Sequence, residues 1–415
     1  MIITKKHWIN IILLTMVFFP VSKSYIFNSS SDAQRVMHLI IFAQSLILYI
    51  FEFKFFKRSN KSIFFILLFS FILSFYLVNF IVTLQSFSFS DLGDLTRIIF
   101  IFNYILLGYV ISISINYKIL IDYLNKLFNI QFISSLLILI PPLYFLIDIF
   151  KGRPSYDPFN FHFYRTSGTF IYPSDFSFVI GFFVFYFFYQ YVFKRKNKLK
   201  LIISLILLFT SISRGAILSF GLYFLLIPFL FKKNIFSFSK YIYPHYLTLT
   251  IIIFCVLYFF NSTYLDYVID SVVFIISGEG NVDSSTQHRF NELALGFNYA
   301  NEYFPFGLGP NRSLLLTKID VIESFYAYYL IKWGYLGISL MILFYFLILR
   351  ILFFRYSYFK KKLNFPVAGL YFSFISITIS FLLFFGWSSA ITERFKLMPF
   401  YFILCGFLIG KNKNL

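Results

Sequence analysis

The chain has 415 residues, of which 59% are apolar and 13% charged, with a mean hydropathy of +0.79 and a formal net charge of +19. A water-soluble domain is nearer half apolar, so this composition excludes an ordinary soluble globular protein and makes the bilayer the solvent. The basic residues form short clusters between apolar runs instead of one continuous patch, which removes the case for nucleic acid as a partner.

The first run follows Lys5 and Lys6, as in a signal peptide, but no small-residue cleavage site comes after it. It is expected to be the first retained helix. Apolar runs long enough to cross the hydrocarbon as helices follow along the whole chain. They fall at about 7–22, 34–53, 62–84, 97–115, 127–147, 174–193, 199–212, 215–231, 241–260, 324–349, 365–385 and 397–410. The expected fold is therefore an all-α polytopic membrane protein of about 12 transmembrane helices, a single integral membrane domain over residues 1–415.

Threading these spans from an inner N-terminus puts the clusters Lys54/Lys57/Arg58/Lys61, Lys194/Arg195/Lys196/Lys198/Lys200, Lys232/Lys233 and Lys360/Lys361/Lys362 on one side. The positive-inside rule makes that side cytoplasmic, and with it both termini. All but two of the 17 acidic residues, Glu52 and Asp122, then face outward. Polar chemistry is thus expected outside. Cys255 and Cys405 each lie inside an apolar run, which argues against a disulfide framework or a thiolate metal cluster.

Two outer loops stand out, residues 148–173 and 261–322. Long loops in compact proteins are usually functional or disordered. The first, with the start of the span after it, carries Arg153, Asp157, His162, Arg165 and Asp175 among aromatics. The second holds a predicted amphipathic helix at 285–303, with Phe290, Leu293, Ala294 and Phe297 as its apolar stripe and His288, Arg289 and Glu292 on the other face.

Ser211-Ile212-Ser213-Arg214-Gly215-Ala216 joins two short runs. A run of about 14 residues covers about 21 Å of a hydrocarbon layer about 30 Å thick, so Arg214 should sit below the outer surface. Such an arginine marks a polar cavity, or it snorkels to the headgroups. Arg153, Arg165, Arg214 and Arg289 all fall on the outer side, and guanidinium groups suit anionic phosphate through bidentate bonds. Helical spacing lets Glu292 form a surface ion pair with Arg289 or His288; the functional alternative makes Arg289 a phosphate ligand and Glu292 its orienting partner. His288 has no second histidine at metal-ligand spacing, so no metal site is expected. Gly307-Leu308-Gly309-Pro310 lacks the context of a phosphate loop and reads as a turn. Glu323, at the mouth of the tenth span, can act as a general base toward a hydroxyl or cap the helix N-terminus.

These residues resemble a family. The Ser-Arg-Gly-Ala junction, the loop helix with its arginine, Phe306-Gly307-Leu308-Gly309, and Glu323-Ser324 ahead of Gly334-Tyr335-Leu336-Gly337 are similar to the O-antigen polymerase (Wzy-type) and O-antigen ligase superfamily. Arg165-Thr166-Ser167-Gly168-Thr169-Phe170 ahead of Tyr172-Pro173-Ser174 is similar to that family's earlier outer-loop motif. The resemblance spans essentially the full chain. It implies a GT-C-like membrane fold for lipid-linked sugars, with two functional periplasmic loops, in the bacterial inner membrane. It implies a metal-independent, cofactor-free glycosyltransferase that moves a growing glycan from undecaprenyl pyrophosphate onto the next lipid-linked repeat unit. By position, Arg214 and Arg289 match the family's pyrophosphate-holding basic residues, and Glu323 takes the base role. Arg165, Arg153, Glu292, His288 and Asp175 are the accompanying substrate-binding candidates. The partners so implied are the lipid-linked oligosaccharide, membrane lipid and a chain-length regulator. Ligases have histidine where this chain has Glu323, a departure that favours a polymerase over transfer to lipid A core. A flippase for lipid-linked sugars is the alternative outside the enzyme class.

Overall fold

The structure, a computed structural model, describes residues 5–20, 30–52, 60–85, 91–137, 140, 149–150, 166–211, 213–230, 284–311, 315, 322–390, 394 and 396–411. All regular structure among them is helical. The α-helices are α1 (Lys5–Phe18), α2 (Ser30–Phe51), α3 (Asn60–Thr83), α4 (Leu92–Ser114), α5 (Tyr117–Leu137) and α6 (Pro173–Lys194). They continue as α7 (Lys198–Thr210), α8 (Arg214–Leu230), α9 (Ser284–Glu302), α10 (Phe325–Lys361), α11 (Phe365–Leu383) and α12 (Leu397–Gly410). Five stretches are long and apolar enough to cross a membrane: Ala33–Phe51 in α2, and α4, α6, α10 and α11. Shorter apolar stretches lie in α3, α8 and α12. This is the make-up of a multi-pass membrane protein.

Two helices begin before the predicted spans. A helix begins at Tyr117, before the span expected at about 127–147, and runs to Leu137; Asn116 starts it, its side-chain oxygen accepting the Ile119 N–H at 3.0 Å, and residues 138–139 and 141–147 lie outside the described ones. The helix expected from residue 97 starts at Leu92. Asp94 and Arg97 lie inside it because each has partners there: Asp94 pairs with Arg97 at 3.4 Å and with Lys332 at 3.0 Å. The predicted span at 241–260 lies outside the described residues.

Polar contacts mark two ends of the bundle. At one, Lys5 Nζ meets Glu52 at 2.6 Å, Ser114 donates to Glu52 at 3.2 Å, and Lys411 Nζ donates to the carbonyls of Ser112 and Ile115 at 2.8 Å. The start of α1 and the ends of α2, α4 and α12 therefore share this end. At the other, Thr166 N–H donates to the Thr210 carbonyl at 3.1 Å and Ser177 to Ser211 at 2.7 Å. Between the ends α4 and α12 run in close contact, with Gly406 against the Ile105 backbone and Gly108 against that of Ile403. Small residues allow such approach where no hydrophobic effect drives helices together.

Helix α10 is not one rod. At 37 residues it would be about 55 Å long if straight. Gly334 breaks it, with φ 63° and ψ −166°, and the ring of Phe325 lies 5.9 Å from that of Tyr345. In a straight helix those two residues would be about 30 Å apart, so the first arm folds back on the second. The break frees carbonyls, and the 305–311 turn meets them. Leu308 N–H donates to Ile331 O at 2.8 Å and Gly309 N–H to Lys332 O at 3.1 Å. Asn79 donates to Phe306 O, and Asn311 donates to Thr83 O and Leu308 O while accepting Gln85 N–H. The turn expected at Gly307–Pro310 is present, and it is the plug of a broken helix. Irregular backbone survives at membrane depth when its polar groups are satisfied within protein in this way.

Candidate functional site

The site grows from the N-terminus of α10, whose first N–H groups need acceptors. Glu292, on α9, supplies them: Oε1 accepts the Glu323 N–H at 2.9 Å and Oε2 the Ser324 N–H at 3.0 Å. Ser324 is the N-cap, and its hydroxyl accepts the Ala327 N–H. The two helices lie close enough for this because Gly296 faces Ala327, where an added Cβ would stand 3.4 Å from the Ala327 Cα.

The predicted stripe of α9 is split by this docking. Leu293 is buried with Glu292, while Phe290, Ala294 and Phe297 are exposed. Glu292 thus faces inward, contrary to the expected polar outer face, since two backbone donors reward its burial. Burial pushes its carboxyl above the ordinary glutamate range; the two N–H donors and His288 pull the other way, and the charge of Glu323 adds to the rise.

Arg289 pairs with Glu323 across the two helices, Nη2 to Oε2 at 3.2 Å. It is His288 that takes the i, i+4 contact with Glu292, at 3.1 Å. The Arg289 Nε is buried and has no hydrogen-bond partner among the described residues. Both side chains reach the surface, Arg289 at 29% and Glu323 at 37% exposure, so the pair is open to an oxygen anion through the remaining guanidinium donors.

The rest of this end is brought in by the segment after α11. Ser324 Oγ donates to Gly386 O at 3.3 Å, and Ser388 Oγ lies where a Cβ on Gly215 would be 2.7 Å away. Arg214 opens α8 beside Gly215, so its backbone sits at the same end; its side chain is outside the description. Arg153 and Arg165 lie outside the described residues, although Thr166, next to Arg165, is tied to Thr210. Asp175 does not join the Arg289 group. It is buried at the start of α6, 3.7 Å from Arg394 Nε, and Arg394 covers the Tyr172 ring at 5.0 Å.

The chain matches no protein-family model and no curated protein.

Sequence reasoning missed Arg394, Asp94 and Lys332. Lys332 is buried, with Nζ 3.0 Å from Asp94 and 3.3 Å from the Pro310 carbonyl, and Tyr328 donates to Asp94 at 3.0 Å. An intramembrane charge is itself the signal that would have found this cluster. Among the described residues no group of three or more His, Cys, Asp or Glu is placed to share a metal ion.

Proposed function

We propose that the protein is a surface-polysaccharide polymerase of the O-antigen (Wzy) type, a metal-independent glycosyltransferase with a GT-C-like fold in the bacterial inner membrane. In this reading the lysine-marked end is cytoplasmic and Glu323 faces the periplasm. The donor is a glycan on undecaprenyl pyrophosphate, the acceptor the next lipid-linked repeat unit, and a chain-length regulator the companion protein.

The observation that carries the reading is the partly exposed Arg289–Glu323 pair at the start of α10. The acceptor hydroxyl attacks the anomeric carbon, and the bond from that carbon to the pyrophosphate oxygen breaks with its electron pair staying on oxygen. Glu323 takes the hydroxyl proton. Arg289, with Arg214 at the same end, stabilises the charge that develops on the leaving group. The activated lipid-linked donor supplies the driving force, so the reaction calls for no nucleotide.

The test compares surface polysaccharide on a gel between cells lacking the gene and cells carrying wild type, Arg289→Ala or Glu323→Gln. The expected result is core capped by a single repeat unit in the deletion strain and in both variants, at normal protein levels. Bare core with accumulated lipid-linked polymer would make the protein a ligase. Repeat units trapped on the cytoplasmic face would make it a flippase.

A further inference from the structure

Helix α9 has a buried face and an exposed face that also bears aromatic rings. One, with Leu293, Gly296 and Ala300, is buried against α10. The other, exposed, carries Ala294 and Phe297 in line with Phe304 just past the helix end, Phe297 46% and Phe304 71% exposed, with Asn301 between them accepting the Tyr335 hydroxyl at 2.7 Å. Large aromatic surface left open in one row marks an interaction surface.

Its neighbours identify what covers it. The Phe304 ring lies 6.2 Å from that of Tyr335. The residue after Tyr335, Leu336, opens an exposed row down the second arm of α10 that continues through Leu343 and Phe346. In an apolar membrane-spanning helix that row faces lipid. Phe304, whose ring meets Tyr335 beside Leu336, carries exposed apolar surface from that row to the end of α9.

We propose that α9 is a membrane-interface helix: its Ala294–Phe297–Phe304 row lies between acyl chains and headgroups and continues the lipid-facing row of α10. A helix of this kind is held by the apolar area it sinks into the boundary. Arg289 and Glu323 are thereby fixed at headgroup level, where a lipid-borne phosphate arrives. The proposal rests on the membrane reading of the chain and is independent of the transferase reading.

The test uses nitroxide labels on Phe297→Cys and Phe304→Cys in the full chain carrying Cys255→Ser; Cys405 is fully buried and stays. Leu343→Cys is the lipid reference and Gln287→Cys the water reference, all in phosphatidylethanolamine/phosphatidylglycerol liposomes. Collision with oxygen is compared with collision with a water-soluble nickel chelate. The expected result is that positions 297 and 304 favour oxygen, as position 343 does. Labels that favour nickel, as at position 287, would overturn the proposal, and so would labels shielded from both reagents, which would mean a protein cover. Should one variant fail to fold, the other carries the same reading. Loss of polymerase activity in the cell assay would leave this result untouched.

Discussion

Glu292 and Glu323 sit on either side of one helix start in opposite surroundings. Glu292 is buried and spends both oxygens on backbone N–H groups, whereas Glu323 is partly open beside Arg289. Removing the Glu292 carboxylate leaves two donors unmet, and each buried donor without a partner costs roughly 1–3 kcal/mol. Glu292→Ala should therefore lower the thermal midpoint of the purified protein by several degrees, and Glu292→Gln, which keeps one acceptor, by less. The pH dependence has a defined sign. A carboxyl whose folded pKa is raised adds stability at low pH that is lost as pH rises through the folded value. Melting followed across the acidic range should show that loss in wild type and a flatter profile in Glu292→Gln. At this scale the sequence showed which residue types cluster, and the His288–Glu292 contact follows from helical spacing. The Arg289–Glu323 pair spans 34 positions, and periodicity within one helix carries no information about a second helix docked on it.

The break in α10 belongs to the scale of elements. Gly307, Gly309 and Gly334 all have positive φ, and a side chain at Gly334 would stand 2.5 Å from Gly307 N as well as against Pro305 O. Backbone atoms cannot move aside as a flexible side chain does. Gly334→Ala is expected to destabilise the protein by roughly 1–3 kcal/mol, because φ 63° with ψ −166° is a backbone region essentially only glycine occupies, with further loss from the clash. Proteolysis of the variant should show the 305–311 turn cut faster than in wild type. Arg289 and Glu323 are carried on α9 and the first arm of α10, so activity should fall with the turn. The apolar run over this element was legible in the sequence, and so was the turn. Their meeting was not, because the run stays apolar across Gly334 and hydropathy does not register a positive φ.

For the molecule as a whole, long apolar runs were read correctly where burial and lipid ask for the same residues, as in α6 and α11. Their starts were misplaced where charged side chains find partners inside the helix, as Asp94 does with Lys332, or where a helix carries charge along its first turns, as α5 does with Lys118, Asp122 and Lys126. The candidate site was legible as a set of outer-loop charges; the separate Arg394–Asp175 and Lys332–Asp94 pairs were not, since Arg394 and Lys332 lie in segments that read as short connection and span. The central claim is that Glu323 and Arg289 perform glycosyl transfer from a lipid pyrophosphate without a metal. The most direct measurement places purified protein in proteoliposomes with lipid-linked repeat units and a chelator, and follows glycan length. The expected result is lengthening in wild type, a rate lower by roughly 10²–10⁴ in Glu323→Gln, and one lower by roughly 10²–10³ in Arg289→Ala. Wild-type protein that leaves the units unextended, or a Glu323→Gln variant that extends them at the wild-type rate, would contradict it.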